Sequence, residues 1–275
     1  IRGRLSEVLG SDLVEVDRLF RTITASRSLK EMYLSCSQEL RSLFDHFSQG
    51  VNAYLQGHTG FLAPEFHVLG YTPEAWRPED GFAVYYFMAW SLNSAFSQEL
   101  LYDAVIHKVG KEAASELFPD YPTGYPVIQS QDEQQAGVLE ILSKARRLLG
   151  VQGGGASNSW VLSGKKTLSG KPLLANDMHL GFGLPGIWYE AHLVTPKMNV
   201  SGVCVPGIPF VMVGANEHIA WGLTNCMADD TDFYREKIHP HNPDQYQYKG
   251  QWLDMEVQEE TIRVKGGSST SFKVR

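Results

Sequence analysis

The spacing of apolar residues differs between the two halves of the 275-residue chain. In the first half, apolar residues recur in steps of three and four from Leu29 to Leu55, which predicts one face of a long helix ending at Gly57. The same pattern predicts helices from about Pro78 to Val109 and from about Asp132 to Leu149. We therefore expect the first half to be mainly helical.

Short alternating segments follow Gly150, with turn-forming residues between them. The predicted strands lie in SWVLSG, PLLAND, VSGVCVPG, PFVMVGANEH, IAWGLTN and FYREKI. The pairs Ser169-Gly170, Lys249-Gly250 and Gly266-Gly267 are typical of hairpins, so the second half is expected to be antiparallel β-sheet. A helical half followed by a strand half predicts the α+β class, in which strands pack on helices.

Composition and charge restrict the possible partners. Hydrophobic residues make up 43% of the chain and charged residues 20%, which is typical of globular proteins. A net charge of −7 without a block of basic residues argues against nucleic acids and anionic membranes as main partners. The longest apolar run, Phe82–Leu92, is too short to span a bilayer. The three cysteines have neither a disulfide framework nor metal-ligand spacing.

A glycine-rich junction, GGGASNSWVLSG at residues 153–164, lies between the two halves. One interpretation is a flexible linker that enters a hairpin. The other is a self-cleavage site, because the glycines would let the Ser157 hydroxyl reach the Ala156 carbonyl. Cleavage would leave Ser157 with a free α-amino group of pKa about 8, which can serve as the base for its own hydroxyl. The spacing alone leaves both interpretations open.

An acidic segment, CMADDTDFYRE at residues 226–236, holds Asp229, Asp230 and Asp232 close together. Carboxylates at this spacing repel one another unless water or a cation screens them. Their hard oxygen atoms favour Ca²⁺, although the spacing and glycine of an EF-hand are missing. A solvated acidic turn and a metal site both fit the pattern.

Several blocks of the chain resemble the penicillin acylase family and follow one another in the family's order. SNSW, LLANDMHL, and AWGLTN followed by DDTD resemble the start of its β-subunit. GRLSEVLG, GVNAYLQG, PEFHVLGY and MAWSLNSAFSQEL resemble its α-subunit. The resemblance implies part of the four-layer αββα sandwich of the N-terminal-nucleophile hydrolases. It also implies an amidase that hydrolyses N-acyl substrates of the β-lactam side-chain or N-acyl homoserine lactone type.

The resemblance assigns catalytic roles to particular residues. Ser157 matches the nucleophile, which implies that the precursor is cut between Ala156 and Ser157 and that substrates form an acyl-enzyme on Ser157. His179 matches a residue beside the nucleophile, with a positioning or a purely structural role. Asn225 matches the position whose backbone N–H contributes to the oxyanion hole. The family's second oxyanion donor lies farther downstream than residue 275.

The same resemblance implies one structural calcium ion and an acyl pocket. The calcium ligands would be Asp229, Asp232 and the Thr231 carbonyl, joined by a carboxylate of the α-subunit. Gln98 falls at the matching position, and we take its neighbour Glu99 as the ligand because only Glu99 carries a carboxylate. The matched pocket residues are aliphatic, which favours an aliphatic or broad acyl group over a strict phenylacetyl preference. These residues, which could equally be ordinary core residues, are Leu180, Val213 and Leu223.

The resemblance also implies how the chain is divided. Residues 1–128 would be a helical α-subunit region, 129–156 a spacer, and 157–275 the start of a β-subunit. An α/β heterodimer would then form from one precursor, in the periplasm or outside the cell. The ends of the chain lead us to expect that it is part of a longer protein. The alternative to an amidase is an inactive relative that keeps the fold as a binding or structural module.

Overall fold

Helices precede strands along the chain. A computed structural model of the chain describes residues 2–23, 25–93, 95–117, 135–148, 156–181, 183–184, 186–228 and 230–275. The α-helices are α1 (Ser6–Leu9), α2 (Val14–Thr22), α3 (Ala25–Ser35), α4 (Gln38–Gly57), α5 (Pro64–Leu69), α6 (Pro78–Leu92), α7 (Ala95–Val109), α8 (Lys111–Leu117) and α9 (Gln135–Leu148). The strands are β1 (Ala156–Leu162), β2 (Leu173–His179), β3 (Tyr189–Thr195), β4 (Met198–Cys204), β5 (Val211–Asn216), β6 (Ala220–Trp221), β7 (Ile238–His239), β8 (Asn242–Tyr248), β9 (Gln251–Asp254), β10 (Gln258–Ile262) and β11 (Thr270–Val274).

The predicted α+β class is confirmed, but two of the predicted helices are each divided by a polar residue. The pattern from Leu29 to Leu55 covers α3 and α4, which are separated where the Ser37 side chain accepts a hydrogen bond from the Leu40 N–H at 3.2 Å. The pattern from Pro78 to Val109 covers α6 and α7, and the Asn93 side chain accepts from the Phe96 N–H at 2.9 Å. Both residues act as N-caps, which start a new helix inside a continuous apolar pattern.

All the strand pairs described are antiparallel. The strand orders are β1-β2, β3-β4-β5-β6, β7-β8-β9 and β10-β11. Lys249 and Gly250 both have positive φ and form the tight β8–β9 turn that the sequence predicts. The prediction was wrong for FYREKI, of which only Ile238 is in a strand, and β3 was missed.

The described residues divide into two compact units, and each unit combines helices of the first half with strands of the second. The first unit takes in Ala25–Leu92 and Arg146–Cys226, and therefore holds α3 to α6 with β1 to β6. The second takes in Arg2–Thr24, Asn93–Ala145 and Met227–Arg275. The change from helices to strands is therefore not the boundary between the units.

Helix α6 is the centre of the first unit because it is apolar on more than one side. On one side Phe82 stacks on Phe44 of α4, with ring centroids 4.3 Å apart. On another side Met88 packs with Val205 and Ile208 of the β4–β5 connection. A Cβ added at Gly81 would lie 2.6 Å from the Phe44 ring, so the close contact between α4 and α6 requires glycine.

The second unit is held by a buried carboxylate and by an ion pair. Asp17 is fully buried and accepts hydrogen bonds from the Leu5 and Ser6 N–H groups at 2.8 and 2.7 Å. Arg21 of the same helix forms an ion pair with Glu260 of β10 at 2.9 Å. The Asp17 bonds hold α2 to the start of α1, and the ion pair fixes α2 to the β10–β11 hairpin.

Two further expectations can be compared with the described residues. Within these residues, no helix is both long enough and apolar enough to cross a membrane. Of the expected spacer, residues 135–148 form α9, whereas residues 129–134 and 149–155 lie outside the described part of the chain.

Candidate active site

The candidate nucleophile Ser157 is the second residue of β1 and is half-buried. Strand β1 pairs with β2 in a register that sets Ser157 opposite Met178 and Ala156 opposite His179. The hairpin connection contains Gly170 at φ 70°, a conformation that glycine adopts without strain. The hairpin therefore fixes the Ala156–Ser157 bond at the end of β2.

His179 is beside the nucleophile along the backbone, but its ring lies on the other face of the hairpin. Side chains alternate along a strand, and directly paired residues share a face, so Ser157 shares its face with Met178. The His179 ring is exposed and bonds through Nε2 to the Asp177 carboxylate, its neighbour on that other face. Any contact of His179 with the Ser157 amine would therefore have to involve its main chain.

Asn225 belongs to an irregular segment, residues 222–228, that follows β6 directly. Strand β6 is fixed by pairing with β5 and by a hydrogen bond from Trp221 Nε1 to the Met212 carbonyl at 3.1 Å. The Asn225 side chain donates to the Leu92 carbonyl, at the end of α6, at 2.6 Å. The side-chain amide is therefore engaged in a structural contact, and the role of the Asn225 backbone N–H stays a prediction.

Asn176 of β2, which the sequence motifs did not single out, joins this segment to the hairpin. Its Oδ1 accepts from the Leu223 N–H at 2.8 Å, and its Nδ2 donates to the Leu223 carbonyl at 3.0 Å. Nδ2 also donates to the Asn158 carbonyl of β1 at 2.8 Å. We call these three hydrogen bonds the Asn176 bridge. The residue lies inside the LLANDMHL block, but the sequence does not show which main chain a side-chain amide will bind.

The three candidate pocket residues are in different parts of the first unit. Leu180 follows β2 directly and is half-buried. Leu223 is held to β2 by the Asn176 bridge and remains 48% exposed. Val213 is in β5, in a different sheet, opposite Val203. The structure thus connects Leu223 to the nucleophile hairpin and leaves the pocket role of all three a prediction.

The acidic segment lies in the second unit and is fixed from α7. Asn93 precedes α7 and donates through Nδ2 to the Asp230 carboxylate and to Thr231 Oγ1. Glu99 of α7 accepts from the Phe233 N–H at 2.8 Å. Phe96 packs edge to face on Phe233, with ring centroids 5.0 Å apart.

Of the expected calcium ligands, Glu99 is thereby placed against the acidic segment. It contacts Phe233, the residue next in sequence to Asp232. Asp232 is exposed, and Asp229 lies outside the described residues. In the part of the chain that is described, no three His, Cys, Asp or Glu residues are grouped as a metal site would require. Glu99, Asp232 and the Thr231 carbonyl are all oxygen donors, so the chemistry of the described ligands fits Ca²⁺.

Two phenols and a thiol of the first unit are among the groups with raised pKa values. Burial raises the pKa of the Cys204 thiol, in β4, and that of the Tyr86 hydroxyl, in α6. A hydrogen bond to Asp45 raises the pKa of Tyr33. Raised values keep these groups neutral near pH 7, so none of the three supplies an anionic nucleophile.

Comparison with known proteins found matches over nearly the whole chain. A family model described as Penicillin amidase matches residues 1–275. The acyl-homoserine lactone acylases QuiP of Pseudomonas syringae pv. tomato and of Pseudomonas aeruginosa are 35% and 32% identical, over 97% and 96% of this chain and 34% and 33% of their own lengths. Penicillin G acylase of Escherichia coli is 25% identical over 99% of this chain and 39% of its own length.

Among solved structures, a thermostable penicillin G acylase from Alcaligenes faecalis shares 33% sequence identity over 32% of this chain and 16% of that chain, with a TM-score of 0.28. The chain spans about one third of the length of the two QuiP acylases.

Proposed function

The chain belongs to the penicillin amidase family, and from this premise we propose that it is the nucleophile-bearing part of a self-processing amidohydrolase. The observation that carries the proposal is the placement of Ser157 at the start of β1, in a hairpin to which the Asn176 bridge joins the segment leading to Asn225. A nucleophile and an oxyanion donor must be held in one rigid frame, and the Asn176 bridge would hold Ser157 and the segment leading to Asn225 in such a frame.

Self-processing would activate Ser157. Its hydroxyl oxygen attacks the Ala156 carbonyl carbon, the Ala156–Ser157 amide C–N bond breaks, and an ester forms while the nitrogen takes the proton. Water then hydrolyses the ester and leaves Ser157 with a free α-amine. The strand register sets this new terminus beside His179, at the end of β2.

Hydrolysis of substrate repeats this chemistry on an external amide. The α-amine takes the proton from the Ser157 hydroxyl, and the oxygen attacks the acyl carbonyl. The negative charge that develops on the carbonyl oxygen would be stabilised by the Asn225 backbone N–H, a contribution of about 10²–10³ in rate for such donors. The leaving amine takes the proton, and water hydrolyses the acyl-enzyme.

The proposed substrate is an N-acyl amide with an aliphatic acyl chain, of the N-acyl homoserine lactone type. The two QuiP relatives named above, at 35% and 32% identity over nearly the whole chain, are acyl-homoserine lactone acylases, whereas the Escherichia coli penicillin G acylase is 25% identical over a similar share of the chain. Leu180, Val213 and Leu223 supply apolar surface of the right kind but discriminate weakly, because one methylene in an apolar pocket changes binding only modestly.

We propose that Glu99, Asp232, the Thr231 carbonyl and Asp229 hold one calcium ion. Its contribution when bound is structural: it neutralises the carboxylates of the acidic segment and fixes that segment to α7. The proposed mature protein is an α/β heterodimer from one precursor, in the periplasm or outside the cell, as the family resemblance implies.

Intact-mass analysis of the full-length protein with a Ser157→Ala variant tests the proposal. We expect a cut between Ala156 and Ser157 in the wild type, an uncut Ser157→Ala chain, and release of homoserine lactone from straight-chain N-acyl homoserine lactones by the wild type alone. Ser159→Ala is the matched control, because Ser159 is two residues along β1 on the same face, and this variant should be cut and active. A wild-type chain that stays uncut and inactive would support the inactive relative instead.

A further inference from the structure

The Asn176 bridge uses an asparagine side chain in the way that a neighbouring β-strand would be used. The Leu223 N–H and carbonyl, both main-chain groups, bond to the two ends of one side-chain amide. Residues 222–228 form no strand of their own. The Asn176 side chain therefore makes the hydrogen bonds to the Leu223 main chain that a paired strand would otherwise make.

The bridge acts on the face of the hairpin that carries the nucleophile. Asn176 pairs with Ser159, and Met178 pairs with Ser157, so Asn176 shares the Ser157 face and is its diagonal neighbour. Diagonal neighbours on one face lie about 7–8 Å apart. Nδ2 also bonds the Asn158 carbonyl, so both strands of the hairpin are joined to the segment.

The bridge also lies close to the proposed oxyanion donor along the chain. Asn225 is two residues beyond Leu223, which limits the separation to about 7 Å for a fully extended chain. The Asn225 side chain makes a second contact of the segment, a hydrogen bond to the Leu92 carbonyl at 2.6 Å. The segment is thus fixed at Leu223 and at Asn225. The contact at Leu223 also joins the segment to β1, because Asn176 bonds the Asn158 carbonyl as well.

At Gly222 the main chain of the segment lies too close to the Asn176 side chain to leave room for a Cβ. A Cβ added at Gly222 would lie 2.8 Å from Asn176 Cβ and 2.9 Å from its Cγ and Oδ1. Real Cβ atoms do not approach other atoms this closely, so a side chain at residue 222 would push the segment away from the bridge. Glycine at this position is therefore a condition of the hydrogen bonds beside it.

We infer that Asn176 is a positioning residue of the proposed reaction, which sets the distance from the Ser157 hydroxyl to the Asn225 backbone N–H. The inference rests on the proposed function. Asn176 touches no reacting atom in this account, and it acts through the main chain at Leu223. A displacement of about 1 Å in such a frame can lower the rate about 100-fold.

Two substitutions disturb the bridge from opposite sides. Asn176→Ala removes the three hydrogen bonds, and Gly222→Ala leaves the amide in place but displaces the segment. We expect kcat per cut chain to fall about 100-fold in each, with kcat/KM falling by the same factor, because an interaction needed in the transition state is lost. The double variant should lose little more than either single variant, since both changes break one contact.

Asn52→Ala is the matched control in the same unit. The Asn52 side chain makes the same two bonds with the main chain of Trp76, accepting from its N–H at 2.7 Å and donating to its carbonyl at 2.8 Å. These bonds join α4 to the segment before α6, which carry none of the proposed catalytic residues. We expect this variant to lose thermal stability as Asn176→Ala does and to keep the wild-type kcat.

Asn176→Asp adds a measurement, the pH dependence of kcat, that a general loss of stability would not change in the expected way. An ionised carboxylate can accept from the Leu223 N–H but cannot donate to either carbonyl, whereas the protonated acid regains one O–H donor. The ratio of the variant's kcat to that of the wild type should therefore rise as the pH is lowered toward the carboxyl pKa.

The experiment uses the full-length protein, straight-chain N-acyl homoserine lactones, intact mass to count cut chains, and a serine-directed sulfonyl fluoride to count reactive Ser157. Asn176→Ala that is cut and keeps the kcat of Asn52→Ala overturns this inference and leaves the proposed function standing. Uncut, inactive wild-type protein overturns both. If Asn176→Ala does not fold, Gly222→Ala decides: an unchanged kcat overturns the inference, and a fall of about 100-fold with an unchanged count of reactive Ser157 supports it.

Discussion

Two irregular segments of this protein are held in place by different chemistry. Residues 222–225, in the first unit, are fixed by neutral amides: Asn176 bonds the Leu223 main chain, and the Asn225 side chain bonds the Leu92 carbonyl. Residues 230–235, in the second unit, are fixed largely through carboxylates. Glu99 accepts from the Phe233 N–H, and Asp103 pairs with Arg235 at 3.2 Å.

The difference follows from what each segment is proposed to do. A carboxylate beside a developing oxyanion would oppose it, so a frame built from neutral amides suits the segment that carries Asn225. The acidic segment gathers negative charge, which a cation can neutralise. The first segment should therefore depend on the exact geometry of its hydrogen bonds, and the second on cations and ionic strength.

The largest expected effect is the loss of the Asn225 backbone N–H. Asn225→Pro removes that donor, and we expect kcat to fall about 10²–10³-fold, the usual effect of losing one oxyanion donor. Asn225→Ala keeps the N–H and loses the side-chain bond to the Leu92 carbonyl, so its kcat should fall much less. Equal losses of kcat in the two variants, measured per cut chain, would show that the Asn225 side chain and not its backbone N–H is needed for the reaction.

The next effect is that of calcium removal on the second segment. A ligand that binds only the native state stabilises it by about 2.7 kcal/mol at one hundred times its Kd. We therefore expect a chelator to lower the midpoint of thermal unfolding by several degrees, and added Ca²⁺ to restore it. Thermal scans with Mg²⁺ as the added ion are the control, and a midpoint that does not change would contradict the calcium proposal.

Glu99→Gln separates the charge of Glu99 from its hydrogen bond. Glutamine keeps an oxygen that can accept from the Phe233 N–H but brings no negative charge. We expect this variant to keep its fold without metal and to lose most of the calcium-dependent rise in the midpoint. Titrating both proteins with Ca²⁺ in thermal scans measures this, and a wild-type response in the variant would remove Glu99 from the ligand set.

The smallest effect is that of the ion pair between Arg235 and Asp103. The Arg235 side chain is 33% exposed, so the pair should contribute no more than about 1 kcal/mol to the free energy of unfolding. Arg235→Gln should reduce stability slightly at low salt and less at high salt, in denaturant titrations at both ionic strengths. A salt-independent loss would mean that Arg235 contributes by packing.

Hydrophobic periodicity predicted where helices lie but not where they divide. Ser37 and Asn93 interrupt two apolar patterns because their side chains cap the helices that follow. From the sequence alone, a polar residue inside such a pattern can be either a helix N-cap or an exposed position within one helix. FYREKI alternates like a strand, yet most of it is irregular, and its Phe233 packs on Phe96. β-patterning is easily overridden by such tertiary contacts.

The sequence by itself determined the α+β class and the family, because these follow from local periodicity and from short motifs. The family resemblance then offered Ser157, Asn225 and Glu99 as candidate residues. Only the tertiary structure decided that the His179 ring faces away from Ser157 and that Asn176 bonds Leu223. Strand register and side-chain hydrogen bonds to distant main chain depend on which segments meet, and 47 positions along the chain separate Asn176 from Leu223. No local sequence pattern predicts such a long-range contact, because the packing of the whole unit brings the two segments together.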